Sequence, residues 1–193
     1  NQLDTLYSRG IMLNKSNTAF TPNDNISRGE FATLLVKLFD IPLQYTETST
    51  FTDVLRVNPL TNGLYDYRYI ETAAKAGIIR GAGGGRFSPD ESVTRQDAAV
   101  MIARAADLKL GTDAEKALPA LQKLFTDTAA INSYARLSVE AVSKAALIVG
   151  KENVLLQGQA KATFRFDPAQ TFTRAEAAEV AIRVLKQQKK IPK

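Results

Sequence analysis

Three arginines occupy matching places in this 193-residue chain. Each follows a hydroxyl residue and precedes an acid by two positions: Ser27-Arg28-x-Glu30, Thr94-Arg95-x-Asp97 and Thr173-Arg174-x-Glu176. The hydroxyl and the acid have a structural use. Their spacing is that of a capping box, in which the N-cap and N3 side chains satisfy free backbone N–H groups at a helix start. Ser27 with Glu30 and Thr173 with Glu176 fit it, and Thr94 with Asp97 is a shorter-armed version. Each cap contributes roughly 0.5–2 kcal/mol. The arginine does not follow from capping. In this register it stands at N1, beside the positive end of the helix dipole, where a cation costs about 0.3–1 kcal/mol. These arginines are therefore expected to serve binding more than stability. Two uses are open. A helix N-terminus offers N–H groups to an anion, and a guanidinium beside it adds a planar fork suited to a carboxylate. Alternatively, each arginine pairs with a neighbouring acid such as Asp24, Asp90 or Asp167.

The elements that position these residues recur with them. Phe20-x-Pro22-x3-Ile26-Ser27-Arg28-x-Glu30-x-Ala32 returns 67 residues later from Phe87 to Ala99, and again after a further 79 residues from Phe166 to Ala178. Recurrence at so many fixed positions defines three repeats. A second matched segment lies upstream of each block: LDTLYSRGIM (3–12), IETAAKAGII (70–79) and VEAVSKAALI (139–148). Apolar residues at Ile70, Ala73, Ala74 and Ile78, and at Val139, Val142, Ala146 and Leu147, follow helical spacing. Gly10 and Gly77 suit a left-handed helix stop, and Ala146 breaks that rule. FTDV (51–54) and FTDT (125–128) open the second and third units; the first has no counterpart and is expected to be N-terminally incomplete. The map is helix, loop, Phe-x-Pro turn, capped helix and linker, three times over, in units of 1–49, 50–117 and 118–193. The capped helices carry apolar stripes through Leu34, Leu35 and Leu38, through Met101, Ile102 and Ala105, and through Val180, Ala181 and Val184. No single unit hides such a stripe well. Packing the three around one axis predicts an all-α fold with a pseudo-threefold central three-helix bundle; a linear solenoid is the rival.

Composition removes several chemistries. The chain has no cysteine and no histidine, which excludes thiolate and His-based catalysis and the usual structural zinc sites. Its carboxylates form no recognisable acid–base constellation, so neither catalysis nor a metal or cofactor is expected. No apolar run reaches about 20 residues, so no membrane insertion is expected. The net charge of +5 favours acidic partners. GAGGGR (81–86) fits neither phosphate-binding glycine motif and reads as a flexible turn. The basic tail 186–193 reads as a solvated helix end.

The FTRAE block at 172–176, its variants VTRQD and ISRGE, the Phe-x-Pro turns, the FTD openings and the AGII helix ending resemble the S-layer homology domain, in three tandem copies covering essentially the whole chain. The resemblance implies a pseudo-trimeric helical assembly that anchors an S-layer protein or exoenzyme, non-covalently and outside the cell, to the wall. It also implies a ligand, a secondary cell-wall polymer with a pyruvylated amino sugar, whose anionic group is engaged in grooves between repeats. Carried over by position, ligand contact falls to Arg28, Arg95 and Arg174, with Lys15, Arg80, Gly81, Gly150 and Lys151 in the adjoining loops. Where the family often has tryptophan, this chain has Tyr65 and Tyr134, and the first repeat has neither, so equal affinity in the three grooves is not expected. Two other classes stand beside this reading. One is an assembly module whose arginines are locked in internal salt bridges. The other is a nucleic-acid binder suggested by charge, which lacks interleaved aromatics and any reader motif, so nucleic acid is not the expected partner.

Overall fold

A computed structural model describes residues 2–16, 19–61 and 63–192. Helices α1 (Gln2–Ser8) and α2 (Arg28–Leu38) belong to the first repeat. Helices α3 (Tyr67–Lys75) and α4 (Arg95–Ala105) belong to the second. They are followed by α5 (Ala114–Gln122), and then by α6 (Ser133–Lys144) and α7 (Arg174–Gln187) in the third. Between α6 and α7 the chain makes a small antiparallel hairpin, β1 (Lys151–Glu152) with β2 (Phe164–Arg165). The fold is mainly helical, as the periodicity predicts. Helix α5 and the hairpin are additions to the predicted map. The linker reading missed α5 although Asp113 supplies a helix N-cap by accepting from the Glu115 N–H.

The capped helices α2, α4 and α7 carry the core. Leu35, Ile102 and Ala181 are wholly buried, and α2 packs against both α4 and α7. The outer helices are exchanged around this centre. Helix α3 of the second repeat packs on α2 of the first, α6 of the third on α4 of the second, and α1 of the first on α7 of the third. Each repeat thus covers the stripe of the one before it, and the third is covered by the first. That closure rules out a linear solenoid.

A ring of backbone hydrogen bonds marks the axis. The Ile26 N–H donates to Phe172 O at 2.9 Å, Phe172 N–H to Val93 O at 2.7 Å, and Val93 N–H to Ile26 O at 3.2 Å. All three side chains are buried, because the residue before each N-cap points inward. Three single-residue bridges (Asn25 with Thr173, Ser27 with Ser92, Thr94 with Thr171) flank the ring.

The FTD echoes also find their purpose. Asp53 accepts from the N–H groups of Phe87 and Ser88, both at 2.8 Å, and Asp127 does the same for Phe166 and Asp167. These bonds pin Phe-x-Pro turns whose middle residues, Ser88 and Asp167, sit at φ of 58° and 55°. Outer helices end as Gly10 and Gly77 suggest, at φ of 65° and 73°, and Ala146 takes the same left-handed turn at φ 53°. A left-handed L-residue costs about 1–2 kcal/mol. Ala146 is exposed. Ala146→Gly is therefore expected to stabilise the protein by about 1 kcal/mol after the added freedom of the unfolded glycine is counted. In a thermal scan this raises Tm by roughly 2–4 °C.

Candidate functional site

The register read from sequence is the register found. Ser27, Thr94 and Thr173 are the N-caps, accepting from the N–H groups of Glu30, Asp97 and Glu176, and each arginine is the first helical residue. Only Thr173 and Glu176 form the full reciprocal box, with the Thr173 N–H donating to Glu176 Oε2 at 2.8 Å.

The helix N-termini are not open to an anion, which corrects one part of the expectation. The Arg28 and Gly29 N–H groups donate to Glu91 O and Pro89 O, both at 2.8 Å. Those of Arg95 and Gln96 donate to Gln170 O and Pro168 O, and those of Arg174 and Ala175 to Asp24 O and Pro22 O. In every case the acceptors belong to the Phe-x-Pro turn of the following repeat, cyclically.

The guanidinium groups reach the same turns. Arg28 Nε donates to Phe87 O at 3.0 Å, Arg95 Nε to Phe166 O at 2.7 Å, and Arg174 Nε to Phe20 O at 2.8 Å. Each also lies over the ring of that phenylalanine, 4.8, 5.2 and 4.8 Å from its centroid. Their Nη2 groups donate to the loops after the outer helices: Arg80 O, Val149 O and Leu13 O. The N1 arginine is thus a clamp between repeats, and this sets aside the expectation that it contributes little to stability. Arg174 is 0% and Arg95 2% exposed.

Their ion pairs differ from those the sequence suggests. Arg95 Nη1 meets Glu176 Oε1 at 2.5 Å, and Arg174 Nη1 meets Glu30 Oε1. The partner is the N3 acid of the following repeat, not Asp24, Asp90 or Asp167. Asp24 instead pairs with Lys15 at 2.7 Å, Asp90 accepts from Tyr65 Oη at 2.8 Å, and Asp167 pairs with Arg165. For Arg28 the corresponding acid is Asp97, one methylene shorter, and no ion pair forms. The Asp97 carboxylate accepts from Tyr134 Oη at 2.7 Å and from Thr94 Oγ1 at 2.9 Å.

Two grooves follow from this geometry. The first has a volume of about 470 Å³ and brings together Arg28, Arg80, Gly81, Asp97, Arg104 and Tyr134 over an apolar floor of Ile78, Ile79, Val100 and Met101. The second, about 200 Å³, joins Arg95, Gly150, Lys151, Glu176, Glu179 and Arg183. Lys15 lies in a separate cleft with Ser27, Glu30 and Tyr65. Lys151 is held by Glu176 at 3.2 Å and by Gln170 at 2.6 Å. Gly150 is a packing requirement: a Cβ there stands 2.7 Å from the Phe125 ring. Gly81 is alike, its Cβ position lying 2.9 Å from Arg86 O.

Sequence reading missed a second recurrent cation. Lys37, Arg104 and Arg183 stand nine residues after each motif arginine. They donate to the carbonyls of Gly10, Ile78 and Leu147 in the loop that ends each outer helix. The signal was present at constant spacing but lay on the polar side of stripes read only for their apolar positions. In the first groove burial and the charge of Arg80 push the Arg104 pKa down. Arg183 is neutralised by Glu179 at 2.9 Å.

The chain belongs to the S-layer homology domain family, whose model matches residues 3–32, 62–99 and 124–178, more than half of its length. It is 29% identical to an endoglucanase of Bacillus sp. (strain KSM-635) over 91% of this chain and 16% of that protein. It is 30% identical to an amylopullulanase of Thermoanaerobacterium thermosulfurigenes, over 92% of this chain and 8% of that protein. With the S-layer protein sap of Bacillus anthracis it shares 24% identity over 96% of this chain and 20% of the other. The chain thus spans a fifth or less of each of these relatives.

Two outcomes follow for stability. Arg174→Ala leaves Glu30 buried without its counter-charge and frees the Phe20 and Leu13 carbonyls. A loss of about 3–5 kcal/mol is expected in a denaturant titration. The second concerns acid. Burial pushes the Glu176 carboxyl up, but the Thr173 N–H, Arg95 and Lys151 together hold it below the usual glutamate range. A depressed folded pKa contributes stability that is present above the unfolded value and lost as pH falls through the folded one. Stability should therefore decline on acidification below about pH 4.5, and Glu176→Gln should flatten that decline.

Proposed function

We propose that this chain is a non-catalytic, extracellular cell-wall anchoring module. It binds an anionic secondary cell-wall polymer, pyruvylated as the family resemblance implies, in the grooves between its repeats. The observation that carries the reading is the first groove. Arg28, Arg80 and Arg104 converge there, and among the described residues none of them has an ion-pair partner. A solvent-accessible cluster of unpaired guanidinium groups repels itself and gains from an anion placed among them. The apolar floor beside it suits the less polar face of a sugar. Relatives named as an endoglucanase, an amylopullulanase and an S-layer protein match this chain over a fifth or less of their own lengths, which supports a transferable attachment unit.

A second reading has its own observation. Arg95 and Arg174 spend their guanidinium groups on Glu176 and Glu30, as a pure assembly module would require. Both roles coexist if closure of the ring and recognition fall to different copies of one motif.

The test is retention on isolated Gram-positive wall sacculi before and after acid removal of the polymer. Retention on intact sacculi and its loss after extraction is the expected result. Surface charges are screened over about 8 Å at physiological ionic strength, whereas a carboxylate within the groove is partly shielded. Binding should then weaken progressively with salt and persist at moderate concentrations. Complete indifference to salt would count against an anionic epitope, and retention on stripped sacculi would remove the polymer from the model.

A further inference from the structure

We propose that the first groove alone is the high-affinity anion site, and that Asp97 decides this by being too short to close it. The inference rests on the anionic-polymer reading above and narrows it to one of three equivalent places. The frame is the same in each: an N1 arginine from one repeat, the loop after the outer helix of the next, and that repeat's capped helix with its acid at N3 and its cation seven positions further on. What differs is whether the arginine meets that acid.

In two grooves it does. Glu176 takes Arg95 Nη1 and also holds Lys151, while Glu179 neutralises Arg183. Glu30 takes Arg174 Nη1, the adjoining Lys15 pairs with Asp24, and Lys37 lies over the Tyr69 ring while donating to Gly10 O. An incoming carboxylate must displace a protein carboxylate from a buried arginine in both cases, exchanging one charge-assisted bond for another with little gain. In the first groove the aspartate arm ends short, and Tyr134 of the third repeat draws its carboxylate away at 2.7 Å. Arg28 keeps its bonds to Phe87 O and Arg80 O and has no carboxylate partner among the described residues. Arg80 and Arg104 also lack one, so three cations face a cleft more than twice as large as its neighbour. The bound anion stands where Glu30 and Glu176 stand in the other two grooves. Tyr134 is therefore a positioning residue: by holding Asp97 it keeps the arginine side of the cleft available.

The experiment immobilises acidic polymer released from wall sacculi and measures affinity of the whole chain and of four variants, with a melting curve for each. Asp97→Glu supplies the missing methylene. It is expected to raise Tm, because a new ion pair joins two repeats, and to weaken binding about tenfold or more by self-occupancy. Arg104→Ala should also weaken binding about tenfold. Arg183→Ala and Lys37→Ala, its counterparts in the closed grooves, should change affinity by less than about twofold. Loss of binding in Asp97→Glu together with a raised Tm cannot be assigned to misfolding. If Asp97→Glu and Arg104→Ala bind as the parent does, the one-groove inference is overturned while the wall-polymer reading stands. Equal losses in Arg104→Ala, Arg183→Ala and Lys37→Ala overturn it in favour of three equivalent sites. If the parent chain itself ignores the polymer, the anchoring reading fails and takes this inference with it.

Discussion

The structure depends on one constraint: the first two N–H groups of each inner helix find their acceptors only in the next repeat. A helix start leaves four such donors, and burying them unpaired is costly. The N-cap hydroxyl answers one of them. Two more are answered by the Phe-x-Pro turn of the next repeat, and the turn for the third repeat comes from the first. No repeat is complete without its neighbour, so the ring closes as a unit. The exchange of outer helices states the same dependence in apolar terms, since each stripe on α2, α4 and α7 is covered by a helix from another repeat.

The arginine at N1 makes sense within that constraint. Its place beside the dipole's positive end is unfavourable for an isolated helix. In the ring, the same position aims the side chain along the incoming turn, where it bonds a carbonyl and lies over the phenylalanine ring. A desolvated cation–π contact contributes up to about 2 kcal/mol, more than the dipole opposes. Lysine would carry the charge but not the fork, because Arg95 and Arg174 use three directions at once: the turn carbonyl through Nε, the loop carbonyl through Nη2, and the acid through Nη1.

Local features were legible in the sequence and their cross-repeat partners were not. Caps and the N1 register arise from contacts within a few positions, and the stripes from helical periodicity, and spacing reports both faithfully. The acid that holds Arg95 lies at Glu176, 81 residues away, and the one that holds Arg174 lies at Glu30, 144 residues away. Spacing favoured Asp24, Asp90 and Asp167, which are near in sequence and engaged elsewhere. Asp53 and Asp127 were seen as an echo, but their task of pinning a turn more than 30 residues on was invisible until the turn was seen. Lys37, Arg104 and Arg183 could have been found, because their spacing is as regular as that of the motif itself.

The N3 acid serves two ends with one carboxylate, and arm length sets the balance between them. Glu176 is long enough to do both, its Oε2 taking the Thr173 N–H while its Oε1 takes Arg95. Glu30 is turned over to Arg174, and Asp97 reaches no arginine and is shared between a threonine and a tyrosine. A symmetric frame therefore holds three unlike grooves without any change of backbone plan. The open one touches every repeat: Arg28 from the first, the 78–81 loop and α4 from the second, and Tyr134 from the third. A ligand seated there would bind only the closed ring, so its free energy of binding would add directly to the free energy of closure. Attachment at such a seam would resist opening of the ring under load, which a site on the face of a single repeat would not do.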